Sequence, residues 1–128
     1  MGDFNMLYAI IDIEKIDPTI IITENNKDVI AIDKVIDSEY AIIEGYIDLS
    51  LLSSEVELEI REEIGLPNRE PKPFIKTLIL GMPEEPILRI HSKTLAQNMR
   101  YRIVFNQHKG FDSQIPILFI IEKLAKVE

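Results

Sequence analysis

Isoleucine supplies 24 of the 128 residues of this chain and is spread almost from end to end. Branching at Cβ makes Ile stiff about its first side-chain torsion, so it fits a pleated, half-buried surface better than a helix. A chain this rich in Ile is constrained towards β structure before any motif is considered. Its apolar runs, such as Ile20–Ile22 and Ile117–Ile121, are strand-sized and fall short of the roughly 18 residues a membrane helix needs. The length fits one domain spanning 1–128, large enough to remove about two thirds of the unfolded surface from water. An apolar share of 46% with 28% charged residues excludes wholesale disorder.

Alternation and breakers divide the chain into strands. Leu7–Ile16 ends at Asp17-Pro18, Thr19–Thr23 precedes the turn-rich Glu24–Asp28, and Val29–Ile36 is closed by Asp37-Ser38. In Tyr40–Leu49 the core face is Ala41, Ile43, Gly45, Ile47 and Leu49, and Gly45 signals a bulge or a close approach by a neighbour. Ser54–Gly65 carries both a helix signature (Ser54-x-x-Glu57, then Gly65 and Pro67) and a strand alternation of Val56, Leu58 and Ile60 with Glu55, Glu57, Glu59 and Arg61. The strand is preferred, because Leu58 would leave the apolar row of a helix. Leu66–Pro73 is a Pro-rich loop, Phe74–Leu80 a strand, and Pro83–Pro86 a turn. Ile87–Ser92 and Met99–Gln107 predict a hairpin over a polar connection, Lys93–Asn98. In its second arm Met99, Tyr101, Ile103 and Phe105 face inward, and Arg100, Arg102, Val104 and Asn106 face outward. Ile115–Leu124 is the last strand. About eight or nine short strands without strand–helix alternation predict an all-β, antiparallel β-sandwich or jelly roll.

The chemistry-bearing residues point away from catalysis. Without Cys there are no disulfides, thiolate metal sites or thiol nucleophiles. On the expected hairpin, His91 lies by the connecting loop and His108 at the far end, roughly 25 Å away at ~3.3 Å per residue, so they read as surface residues rather than a metal pair. Glu55, Glu57, Glu59 and Glu63 read as the solvated side of one strand, and no D-x-D-x-D-G, G-x-S-x-G or phosphate-binding glycine loop occurs. Tyr8, Tyr40, Tyr46 and Tyr101 are dispersed and Trp is absent, which gives a sugar-binding platform little footing. No catalytic residue, cofactor or metal is therefore expected. Absent Cys and Trp, few Met and abundant Ile, Glu and Lys fit a thermophile. Met1-Gly2-Asp3-Phe4-Asn5 lacks the basic start of a signal peptide, and Gly2 opens no myristoylation signal, so a soluble, non-membrane protein is expected.

Charge is distributed unevenly. Ile87–Gly110 holds five Lys or Arg (Arg89, Lys93, Arg100, Arg102, Lys109) and no acid, while the rest of the chain holds nine basic and 22 acidic residues. Three readings follow. Neighbouring strands pair these charges internally, for instance with Glu57 and Glu59. Alternatively, a basic plate of Arg89, His91, Lys93, Arg100 and Arg102 meets an acidic face of Glu55, Glu57, Glu59 and Glu63 on another copy, which makes the chain a homo-oligomer or larger assembly. A nucleic-acid patch is disfavoured by the net charge of −8 and by the inward parity of Tyr101 and Phe105. Several strands also place Ile on both faces (Thr19–Thr23, Ile42–Ile43, Ile117–Ile121). A sandwich buries one face per strand, so the surplus is covered by loops or reserved for another subunit.

Gly45–Ile64, GYIDLSLLSSEVELEIREEI, and Arg100–Leu124, RYRIVFNQHKGFDSQIPILFIIEKL, resemble small β-sandwich proteins of thermophile viruses and mobile elements. The likeness lies in an I-D-L-S-x-L strand end leading into an alternating charged strand, and in a strand ending near Gln-x-x-Gly before the final strand. It covers roughly the last two thirds of the chain and implies a capsid, decoration or filament subunit, found in a virion, with no functional residue to carry over. The sequence-level expectation is a non-enzymatic, self-assembling structural subunit, with a ligand- or carbohydrate-binding β-sandwich module as the alternative.

Overall fold

Branched aliphatics alternating with polar residues give nine strands and no helix among the described residues of the computed structural model, which are 7–127. The strands are β1 Leu7–Ile16, β2 Thr19–Ile22, β3 Asp28–Val35, β4 Tyr40–Asp48, β5 Glu57–Gly65, β6 Lys72–Leu80, β7 Ile87–Ala96, β8 Arg100–Lys109 and β9 Ser113–Val127. Ser54–Gly65 is resolved in favour of the strand. The segment Met1–Met6, whose role the sequence leaves open, lies outside the described residues.

All pairings are antiparallel and nested. β5 pairs β6, β4 pairs β7, β3 pairs β8, and β1 and β2 both pair β9. The chain is thus one long ribbon folded at the β5–β6 turn and rolled, so that successive rungs fall in opposite sheets. Two further ladders, β4–β9 and β5–β8, close the roll. Sheet 1 runs β1-β9-β4-β7 with β2 also on β9, and sheet 2 runs β3-β8-β5-β6. With β1 and β2 counted as one strand broken at Asp17-Pro18, this is the strand order of a jelly roll. Only β5 and β6 are neighbours both in sequence and in a sheet.

The expected β7–β8 hairpin is therefore corrected. The strands run longer than the sequence suggests, and the link between them, Gln97–Met99, carries the chain from one sheet to the other. Asn98 adopts a φ of 69°, a left-handed conformation that Asn tolerates. The link is held by a second crossing rather than by a partner strand: Asn98 N–H donates to Ile36 O at 2.8 Å and Gln97 N–H to Glu39 O at 2.9 Å.

The core lies between the sheets. Ala41, Ile43, Ile47, Tyr101, Ile103, Phe105, Ile115, Phe119 and Ile121 are all buried, as the alternation requires. At Gly45 the close approach expected from the sequence is found: a Cβ there would overlap the Phe119 ring, while the register slip beside it comes from an extra residue in β7 rather than in β4. Gln107, buried at the end of β8, explains the Gln-x-x-Gly pattern. Its amide donates to Phe111 O and Asn25 Oδ1 and accepts from Ser113 Oγ, while Gly110, at φ 120°, passes against Val56.

Of the strands at the sheet edges, β1, β3, β6 and β7 carry an extra residue, and the short β2 does not. The registers leave Ile11 unmatched in β1, Ala31 in β3, Phe74 in β6 and the pair His91-Ser92 opposite Glu44 in β7. Bulges increase local twist and break the row of free backbone groups that another strand would copy.

Candidate functional site

The outward face of sheet 2 is where the arginines of β8 lie. Cross-strand register places Asp33, Arg102 and Glu63 in one row, and Asp28, Asn106 and Glu59 in another, with Arg61 beside Val104 between them. The side chains close into a lattice. Arg61 donates to Asp28 and to Glu59, both at 2.8 Å, and lies 3.4 Å from Glu63. Arg102 donates to Glu63 at 3.1 Å, and Arg100 makes two bonds to Asp33 at 2.7 and 2.6 Å. Lys76 and His108 each approach Glu59 at 3.4 Å. The hydrogen bonds from Arg61 and Asn106 hold Asp28 below the ordinary carboxylate range, and that from Arg100 does the same for Asp33. Burial pushes the Glu59 carboxyl up, but Arg61 and Lys76 outweigh it and leave the group depressed. Arg61, bonded to Asp28 and Glu59, is held more firmly protonated than a free arginine.

This arrangement revises the sequence-level surfaces. Arg89, His91 and Lys93 lie on β7 in sheet 1, and Arg100 and Arg102 on β8 in sheet 2, so the five do not form one plate. Of the acidic row, Glu59 and Glu63 are buried beneath the arginines rather than solvated. Glu57 is half-buried at the start of β5, and Glu55 is exposed in the turn before it. Charges expected to face another copy are largely spent within the subunit.

Lys93 departs furthest from expectation. The His91-Ser92 bulge reverses the parity of β7, so Arg89 and His91 face out while Lys93 turns in. There it meets Glu62, a residue on the even-numbered, apolar side of β5 and only 5% exposed. Glu62 Oε1 accepts from Lys93 Nζ at 3.0 Å and from the Tyr101 hydroxyl at 2.9 Å. Lys93 Nζ also donates to His91 O at 2.7 Å and sits 5.1 Å from the centre of the Tyr101 ring. Burial, then the Glu62 charge, pushes the Tyr101 phenol far above its ordinary range. Glu62, His91 and Lys93 line a cleft of about 230 Å³ between β6 and β7, whose walls include Ile75, Leu88 and Ile90. The lone acid on the apolar parity of β5 was a readable signal of this site; the β7 bulge was not.

No family model, characterised protein or solved structure matches the chain. Function has to be read from the surface itself.

Among the described residues no three His, Asp or Glu side chains form a metal-binding group, and no helix is long and apolar enough to cross a membrane. The outward face of sheet 1 contrasts with the lattice on sheet 2. Tyr8, Ile10 and Ile13 of β1, Leu118, Ile120 and Leu124 of β9, and Tyr40, Ile42 and Tyr46 of β4 share it by register. Three of the four tyrosines are therefore gathered there, and Tyr8 and Tyr40 meet edge to face at 5.1 Å. Strand β1 is exposed on both sides: Leu7 is 66% and Ile11 61% exposed. On the opposite flank β6 exposes Phe74, Leu78 and Leu80.

Proposed function

We propose that this chain is a non-enzymatic structural subunit that assembles with copies of itself, as a capsid, decoration or filament component of a virion or similar particle. One observation carries the reading: large aliphatic side chains are exposed on strands at opposite flanks, β1 and β6, and Tyr40 and Tyr46 are exposed on the outward face of sheet 1. Exposed apolar surface beyond a few hundred Å² marks interaction sites. A simple dimer needs one such surface, whereas a subunit in a lattice needs several, on different sides. The internally paired charge on sheet 2 supplies the solvated remainder. Sedimentation velocity and light scattering across a wide concentration range test this. Large species that grow with concentration are expected, and a single monomer at millimolar concentration and moderate salt would overturn it.

A second reading, a carbohydrate- or ligand-binding module, is favoured by the three tyrosines on one face. It predicts saturable changes in tyrosine fluorescence on titration with oligosaccharides, which the structural reading does not.

A further inference from the structure

Resting on the reading of self-association, we propose that copies join flank to flank, the β1 ridge of one copy entering the cleft between β6 and β7 of the next. Strands β6 and β7 carry four Lys or Arg and no acid. Lys76 and Lys93 are engaged by Glu59 and Glu62, but Lys72 and Arg89 form no ion pair among the described residues. Glu84 and Glu85 lie in the turn joining the two strands, outside them.

The opposite flank has the complementary sign. Strands β1 and β3 carry four acids, Asp12, Glu14, Asp28 and Asp33, against two lysines, and Asp17 follows β1; Asp28 and Asp33 are engaged by Arg61 and Arg100, Glu14 by Lys34, and Asp17 by Lys15 at 3.3 Å. Among the described residues Asp12 forms no ion pair; its carboxylate accepts from the Ile13 N–H at 2.9 Å. Beside it the bulge at Ile11 pushes an isoleucine out of the edge, with Ile13 60% exposed next to it. An acidic, aliphatic ridge thus stands on one flank, and a basic cleft walled by Ile75, Leu88 and Ile90 on the other.

The two flanks are not interchangeable. Between β1 and β3 the sandwich is sealed by Lys34 with Glu14 at 2.6 Å and Lys123 with Asp37 at 3.2 Å, leaving about 20 Å³. That flank has no cleft to receive a ridge, so two copies cannot exchange ridges symmetrically there. The contact is heterologous, and repetition of it gives a ring or a filament. Bulges on the edge strands oppose a continuous backbone ladder, so side-chain fit and charge set the register.

The test uses two charge-reversed chains, one carrying Lys72→Glu and Arg89→Glu, the other Asp12→Lys and Asp17→Lys. All four positions are exposed, and circular dichroism checks that each chain keeps its strands. Each variant alone should need about tenfold more protein to assemble, equivalent to ~1.4 kcal/mol per contact. Mixed one to one, they should recover assembly, because the acidic flanks of the first face the basic flanks of the second. Ile11→Ser, which keeps every charge, should weaken assembly without altering its salt dependence. A wild-type chain that assembles while both reversals assemble equally well, or while the mixture fails to recover, overturns flank docking and leaves self-association standing. A monomeric wild-type chain overturns both.

Discussion

Glu62 shows how one residue ties two sheets together. Its carboxylate stands in the core on β5, and its partners come from β7 and β8. Removing one member of a buried pair leaves the other charge uncompensated, which costs far more than the pair's net contribution to stability. Glu62→Ala should therefore lower stability by about 3–5 kcal/mol. Tyr101→Phe, which deletes one hydroxyl and leaves Lys93 on Glu62, should cost about 1–2 kcal/mol. Urea midpoints of the two variants check this; equal losses would mean that the hydroxyl, not the lysine, carries the site. Gly45 is a second residue whose replacement the packing opposes. A methyl group there would overlap the Phe119 ring and Leu118 O, so Gly45→Ala should destabilise by at least about 1–3 kcal/mol in the same assay.

Elements were far more legible than their partners. Asp17-Pro18, Asp37-Ser38 and Pro83–Pro86 break the chain where the strands end, because turn chemistry is local. Parity within β4 and β8 was legible for the same reason: burial of Ala41, Ile43 and Ile47, or of Tyr101, Ile103 and Phe105, follows from period two alone. What short-range pattern cannot carry is which strand pairs with which. The polar connection Lys93–Asn98 reads as the loop of a hairpin, yet β7 runs on to Ala96 and the remaining link, Gln97–Met99, crosses between sheets, since the ribbon has already been fixed by rungs far apart in sequence. The bulge at His91-Ser92 was equally invisible, and it moved Lys93 from an expected surface into the core. So the charged strand pair β5–β8 was read correctly as charged but wrongly as solvated. Its lattice has a pH signature. Asp28, Asp33 and Glu59 have folded-state values below their unfolded ones, so the stability they contribute is present above the unfolded carboxylate range and lost as pH falls through the folded values. The urea midpoint should stay level from neutral pH to about 5 and then decline below about pH 4. Asp33→Asn should lower the plateau and make the decline shallower; a midpoint unchanged down to pH 2 would show that the lattice adds nothing to stability.

On the scale of the whole molecule, the rolled ribbon distributes stability unevenly. β9 is the central closing strand, paired on one side with β4 and on the other with β1 and β2. β1 has only that single partner, a bulge, and little burial on either face. Segments with few buried apolar contacts open at low free-energy cost, and their amides exchange accordingly. In a dilute subunit, amides of Leu7–Ile13 should exchange much faster than those of β8, which is flanked by β3 and β5 and holds four fully or nearly fully buried side chains, Tyr101, Ile103, Val104 and Phe105. Assembly through the β1 ridge should reverse this selectively, slowing exchange in β1 and in the β6 and β7 edges while leaving the face of sheet 2 unchanged. Hydrogen–deuterium exchange below and above the assembly concentration measures both states on one chain. Slowing confined to β4 and the outward side of β9 would instead place the contact on the tyrosine-bearing face of sheet 1, with β1 as a strand merely left exposed.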